Sequence, residues 1–107
     1  MVESPFDVEI RVGEVLEAEA FPETNKPKMT KLRIDLGDEE IQSCAQLGYH
    51  HDLDELPGTQ VLCATNLGSV RIAGFESEAL TVGVPEEDGN PVLVTPESEV
   101  PLGGVLF

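Results

Sequence analysis

The sequence predicts an all-β fold, a small five-stranded barrel with one short helix between strands three and four and a C-terminal extension. Three observations predict it. Apolar residues alternate with charged ones at Val8, Ile10 and Val12, and again at Leu32, Ile34 and Leu36, the period-2 signature of half-buried strands. Clusters of Gly, Pro, Asp and Asn punctuate the apolar runs, as turns do. A single stretch, 50–58, reads as a short helix, and Pro57-Gly58 ends it.

Taken in order, "VEIRVG" (8–13) is the first strand, with Glu9 and Arg11 facing solvent. Gly13 breaks the phase, and "EVLEAEA" continues the strand after a bulge. Residues 21–28 form a loop with two prolines. "TKLRIDL" (30–36) is the second strand, with Lys31, Arg33 and Asp35 outward. "GDE" (37–39) is a turn into a third strand at 40–47, so strands two and three form a hairpin. The fourth strand, 59–66, is apolar on both faces. Residues 67–77 read as a long loop with two glycines and 78–84 as a fifth strand. Asp88-Gly89 builds a turn, "PVLV" is a short sixth strand, and the tail "PESEVPLGGVLF" ends in apolar residues. Three strands, a helix, two strands and an extension is the element order of an OB-fold barrel. A small open α+β sheet shares that order.

At 107 residues the chain is read as one domain, 1–107. Its net charge is −15, from 21 acidic residues against six Lys and Arg. Such a field opposes casual binding to nucleic acid or anionic membranes. The acids are scattered, not blocked into a tail, which fits a high-salt cytosol where the Debye length falls to about 3 Å at 1 M; an acidic protein with a basic partner is the blander alternative. "MVESPFDVE" has neither the basic start nor the apolar run of a signal peptide, so a cytoplasmic location is expected. Cys44 and Cys63 lack CxxC spacing and are expected to be buried thiols.

Four of the six cations, Lys26, Lys28, Lys31 and Arg33, fall within residues 25–33. Lys31 and Arg33 share the outward face of one strand, so their charges point together. A solvated strand face balancing nearby acids is the bland alternative, and an anion-binding surface the sharper one. Asn66, Arg71 and Ser77 flank or occupy the loop between strands four and five, a ligand-contacting loop in OB-folds. Turn chemistry is the ordinary role of Asn66 and Ser77, and a lone surface cation that of Arg71. Tyr49 and Phe75 are candidates for base stacking or for the core. His50-His51-Asp52 invites a metal reading, but adjacent imidazoles do not share a helix face as i, i+4 ligands do. A solvated helix start is expected there, with no metal and no cofactor. The chain has no P-loop, GxSxG or HExxH, so binding is expected rather than catalysis.

"VEIRVGEVLEAEAFPETNKPKMTKLRIDLG", "SCAQL" and "IAGFESEALTVGVPEEDGNPVLVTPESEVPLG" resemble, in order, three stretches of the CsaA-like proteins of the tRNA-binding-domain family. The likeness runs from residue 6 to 104. It implies an OB-fold homodimer that binds tRNA. A second implied role is an export-related chaperone for unfolded or pre-secretory polypeptide. The implied ligand face holds Lys26, Lys31, Ser43, Gln46, Asn66, Arg71 and Ser77, beside Arg33 from the strand pattern. The implied dimer interface holds Phe6, Val84, Val100, Leu102 and Leu106. Cys44 stands where the family usually has Ser. Met29-Thr30 replace a usual aromatic in a lengthened loop, which sets Lys28 aside. The paired prolines common before Arg71 are missing.

Overall fold

The computed structural model describes residues 7–107. In chain order the elements are β1 (Ile10–Ala20), β2 (Thr30–Asp35), β3 (Glu40–Ala45), a single 3-10 turn (Leu53–Glu55), β4 (Gln60–Ala64), β5 (Val70–Ile72), β6 (Phe75–Ser77), β7 (Leu80–Thr81), β8 (Gly83–Pro85) and β9 (Pro91–Leu93). Five of them form one antiparallel sheet in the order β3-β2-β1-β4-β7. The sheet curls until β3 meets residues 78–79. There Glu78 N–H donates to the Gln42 carbonyl at 2.8 Å, Gln42 N–H to the Glu78 carboxylate at 3.0 Å, and Ser43 Oγ to the Ala79 carbonyl at 2.8 Å. The result is a nearly closed all-β barrel of the OB type.

The alternation read in β2 sets the core. Leu32, Ile34 and Leu36 point inward and are buried with Val15, Ile41, Leu47, Leu56, Val61 and Cys63. Each such aliphatic side chain contributes about 1.5–3 kcal/mol when fully buried. β4 is covered on both faces, with Val61 through Ala64 all buried.

Several sequence expectations shift. The bulge in β1 falls between Val15 and Glu17, not at Gly13. Gly13 is small because a β-carbon there would collide with the Ile34 side chain on the neighbouring strand. The helix is one 3-10 turn, capped by the Asp52 carboxylate, which accepts from Asp54 N–H at 3.0 Å. The third strand stops at Ala45, because Leu47 N–H turns back to the Ala45 carbonyl. The loop at 67–77 contains a hairpin: β5 pairs with β6 around Ala73-Gly74. Both turn residues have positive φ, 47° and 82°, the requirement of a tight two-residue hairpin. The fifth strand is split at Val82, where the chain leaves β4 and β8 pairs instead with β9.

Arg11 is not solvent-facing. The tail runs beside the start of β1, with Val12 N–H donating to Gly104 O at 2.9 Å, Gly103 N–H to Val12 O at 2.8 Å and Leu106 N–H to Ile10 O at 2.9 Å. The Arg11 guanidinium is covered there and reaches Gly103 O and Asp38. Gly103 takes φ 86°, and a β-carbon at that position would sit 2.7 Å from the Leu36 carbonyl oxygen. No helix among the described residues is long and apolar enough to cross a membrane.

Candidate nucleic-acid interface

Two segments project from one side of the barrel: the 21–29 loop and the β5–β6 hairpin. Between them lies a cleft of about 430 Å³, lined by Glu23, Thr24, Asn25, Lys26 and Met29 on one wall and by Ile72 and Ala73 on the other. A smaller groove of about 130 Å³ lies over β1 and β2, walled by Glu17, Glu19, Lys31, Arg33, Gln42 and Phe75. The OB topology places both beside the loops that the strand pattern singled out.

The six cations divide into two sets. Arg11 pairs with Asp38 at 2.8 Å and Glu39 at 3.9 Å, and Lys31 with Glu19 at 3.7 Å. Arg33 pairs with Glu17 at 2.9 Å and also with Glu40. Among the described residues Lys26, Lys28 and Arg71 have no such carboxylate partner. All three sit on the two segments that form the cleft. Unpaired cations on exposed loops hold most of the field that an incoming anion feels.

The predicted site residues therefore separate by role. Lys26 lines the cleft, and Arg71 stands on β5, where Nη1 donates to Gly74 O at 3.1 Å. Lys31 and Arg33 share one face of β2, as expected, and both are already engaged by acids. Gln46 donates to Pro27 O at 3.0 Å and so holds the 21–29 loop down. Asn66 grips the segment that leads into β1, accepting from Glu9 N–H at 2.8 Å and donating to Asp7 O at 3.2 Å. Ser77 accepts from Cys44 N–H at 3.3 Å and donates to Ala79 O at 3.2 Å. Ser43 is wholly buried, bonded to Ala79 O and Thr81 Oγ1, and points into the barrel.

Three features escaped the sequence reading. Phe21 and Phe75 meet edge-to-face at 5.5 Å, and Lys31 Nζ lies 4.7 Å and 5.5 Å from their respective ring centroids. Phe21, at the end of β1, had no visible partner in sequence. Lys28, set aside by the resemblance, belongs with the unpaired cations. Met29 is buried and forms part of the cleft wall.

Cys44 lies on β3 opposite Lys31. Burial raises its thiol pKa, partly offset by the Ser77 hydrogen bond and the Lys26 charge. Burial pushes the Cys63 thiol up to about 11, so both stay protonated at neutral pH. The two histidines diverge: His50 Nε2 faces Glu86 at 3.1 Å, and His51 Nδ1 contacts Leu47 O at 3.0 Å. Of the implied dimer residues, Val84 and Val100 are exposed, while Leu102 and Leu106 are half-buried against their own chain. Phe6 lies outside the described residues.

Residues 10–104 match the family described as "Putative tRNA binding domain". The chain belongs to the tRNA-binding-domain family. The methionine–tRNA ligase of Archaeoglobus fulgidus is 38% identical over 96 residues, which are 90% of this chain and 14% of that protein. The chain thus spans only a small part of the length of the curated relatives it matches. The crystal structure of the chaperone CsaA from Bacillus anthracis superposes with a TM-score of 0.85 at 35% identity, covering 94% of this chain and 91% of that one. The CsaA chaperone protein of Picrophilus torridus gives 0.84 at 34% identity, covering 94% and 92%.

Proposed function

We propose that this domain binds tRNA, without catalysis, across the cleft between the 21–29 loop and the β5–β6 hairpin. One observation supports that placement above others. The cations that lack a carboxylate partner, Lys26, Lys28 and Arg71, all stand on those two segments. Phosphates would meet these side chains first, and Arg33 would lie deeper in the adjoining groove. The cleft itself, walled by Met29 and Ile72, suits contact with a splayed nucleotide, the usual target of RNA readout on small folds.

The acidic remainder repels RNA, so the binding is proposed to operate in a salt-rich cytoplasm that screens the net charge. Salt also weakens the counterion-release drive, which shifts the burden to hydrogen bonds and base contacts. The domain is further proposed to work as a homodimer. Val84 and Val92 face each other across the β8–β9 ribbon and are 57% and 40% exposed. With Val100, Val105 and Phe107 they leave apolar surface of the kind that a second copy covers.

The test is tRNA binding by Lys26→Ala, Arg71→Ala and the double variant, measured in matched salt with circular dichroism as the folding control. Weaker binding with an intact fold is expected. Unchanged affinity in the double variant would overturn the placement. A second reading is polypeptide binding, favoured by the chaperone naming of the CsaA neighbours and by an acidic surface that attracts basic segments. A pull-down from lysate at native salt, with RNA and peptides both identified, separates the two.

A further inference from the structure

We infer that Lys31 serves the RNA site as a positioning residue, fastening the β5–β6 hairpin to the barrel, and is not itself a phosphate ligand. The inference rests on the tRNA-binding reading for its purpose, but its structural content concerns the free protein.

The hairpin has few attachments. β5 is exposed at Val70 and Arg71 and pairs with β6 alone. The hairpin is therefore held through β6 and the residues just after it. One fastening is polar and runs along β3: Gln42 Nε2 donates to Glu76 O at 2.7 Å, Glu78 N–H to Gln42 O at 2.8 Å, Gln42 N–H to the Glu78 carboxylate at 3.0 Å, and Cys44 N–H to Ser77 Oγ at 3.3 Å. The other is the cluster around Lys31. Phe75, the first residue of β6, folds over the outer face of β2 and meets Phe21 edge-to-face. The Lys31 ammonium lies near both rings and 3.7 Å from Glu19 Oε1. An ammonium beside two aromatic faces is attracted to both quadrupoles.

That environment occupies Lys31. Its side chain is 29% exposed, and its charge is already shared by two rings and a carboxylate. Reaching a phosphate would mean leaving all three. Lys26, on the facing loop, has no such engagement. The consequence for the site is indirect. Arg71 lies opposite Glu76 in the hairpin register, so wherever β6 is fixed, Arg71 is fixed too. A loosened Phe75 would let Arg71 wander and would open the 72–73 wall of the cleft.

The experiment compares Lys31→Met, Lys31→Arg and Lys26→Ala with the parent protein. Backbone amide exchange of residues 70–77 is measured without ligand. Binding of unfractionated tRNA is measured across a salt series. Lys31→Met should speed exchange in the hairpin and weaken tRNA binding by about two- to fivefold at every salt, with an unchanged slope. Lys31→Arg, which keeps the cation beside the rings, should restore both. Lys26→Ala should leave hairpin exchange alone and reduce the magnitude of the log–log salt slope by about 0.7–0.9, the loss of one phosphate contact. Unchanged hairpin exchange in Lys31→Met would overturn the inference, as would a slope change matching that of Lys26→Ala. If the parent itself binds no tRNA, the function proposed above fails, and the exchange measurement still decides the fastening.

Discussion

Thr81 donates its hydroxyl proton to Ser43 Oγ at 2.9 Å, and Ser43 donates its own to the Ala79 carbonyl at 2.8 Å. Both side chains are buried, and the relay ties β3 to β7 where the barrel shuts. Ser43→Ala removes the acceptor for Thr81 and one donor to Ala79. A buried polar group left unpaired costs about 1–3 kcal/mol, and urea unfolding should show a loss of that size. Affinity for tRNA should be unchanged in the folded protein. Lost affinity at unchanged stability would return Ser43 to the ligand face.

The second prediction concerns Arg33. Glu17 and Glu40 hold its guanidinium on the groove wall. Replacing both by Gln leaves the geometry nearly intact and frees one positive charge beside the proposed RNA path. The Glu17→Gln/Glu40→Gln protein should bind tRNA more tightly than the parent. Its salt slope should grow by about 0.7–0.9 if Arg33 gains one phosphate. An affinity equal to the parent's would place Arg33 out of reach of the ligand.

Acid should loosen the tail junction. The hydrogen bond from Arg11 is the largest influence that lowers the Asp38 carboxyl below its ordinary value. A carboxylate depressed in the folded state stabilises above its unfolded pKa. That stabilisation is lost as pH falls through the folded one. Asp38→Asn should therefore melt below the parent at neutral pH, and the two melting curves should converge in acid, below the ordinary carboxylate range. Parallel curves would mean that the pair does not report on folding.

Salt provides a fourth test. A net charge of −15 on 107 residues repels itself most strongly when unscreened. The melting temperature and the dimer fraction should both rise as sodium chloride is raised from about 0.1 M to about 2 M, over which the Debye length shrinks several-fold. A native, dimeric protein with a flat melting temperature in dilute buffer would remove the high-salt interpretation.

The barrel was legible where period-2 alternation is strict. Leu32, Ile34 and Leu36 announce their own buried face, and "GDE" announces the turn that follows. The β5–β6 hairpin was hidden because Val70, Arg71 and Ile72 are too few to show a period. Its turn also begins on Ala73, which does not advertise a positive φ. The break at Val82 reflects a change of pairing partner, which local composition does not encode. In the site, the shared face of Lys31 and Arg33 followed from phase. Their neutralisation did not, because Glu17 and Glu19 reach them only through the β1–β2 register set after the bulge. Ser43 was implied as a ligand group by the family resemblance alone, and only barrel closure revealed its inward direction.

The tail beside Ile10–Val12 has a consequence for solubility. β2 accompanies β1 only from Glu14 onward, which leaves the other border of residues 10–12 with bare peptide groups. Such a border is a template on which another molecule's extended segment can add, the first step of ordered aggregation. Gly103 through Leu106 occupy that template from within the same chain. Trimming those residues would thus do more than shorten the molecule: it would uncap a growing end.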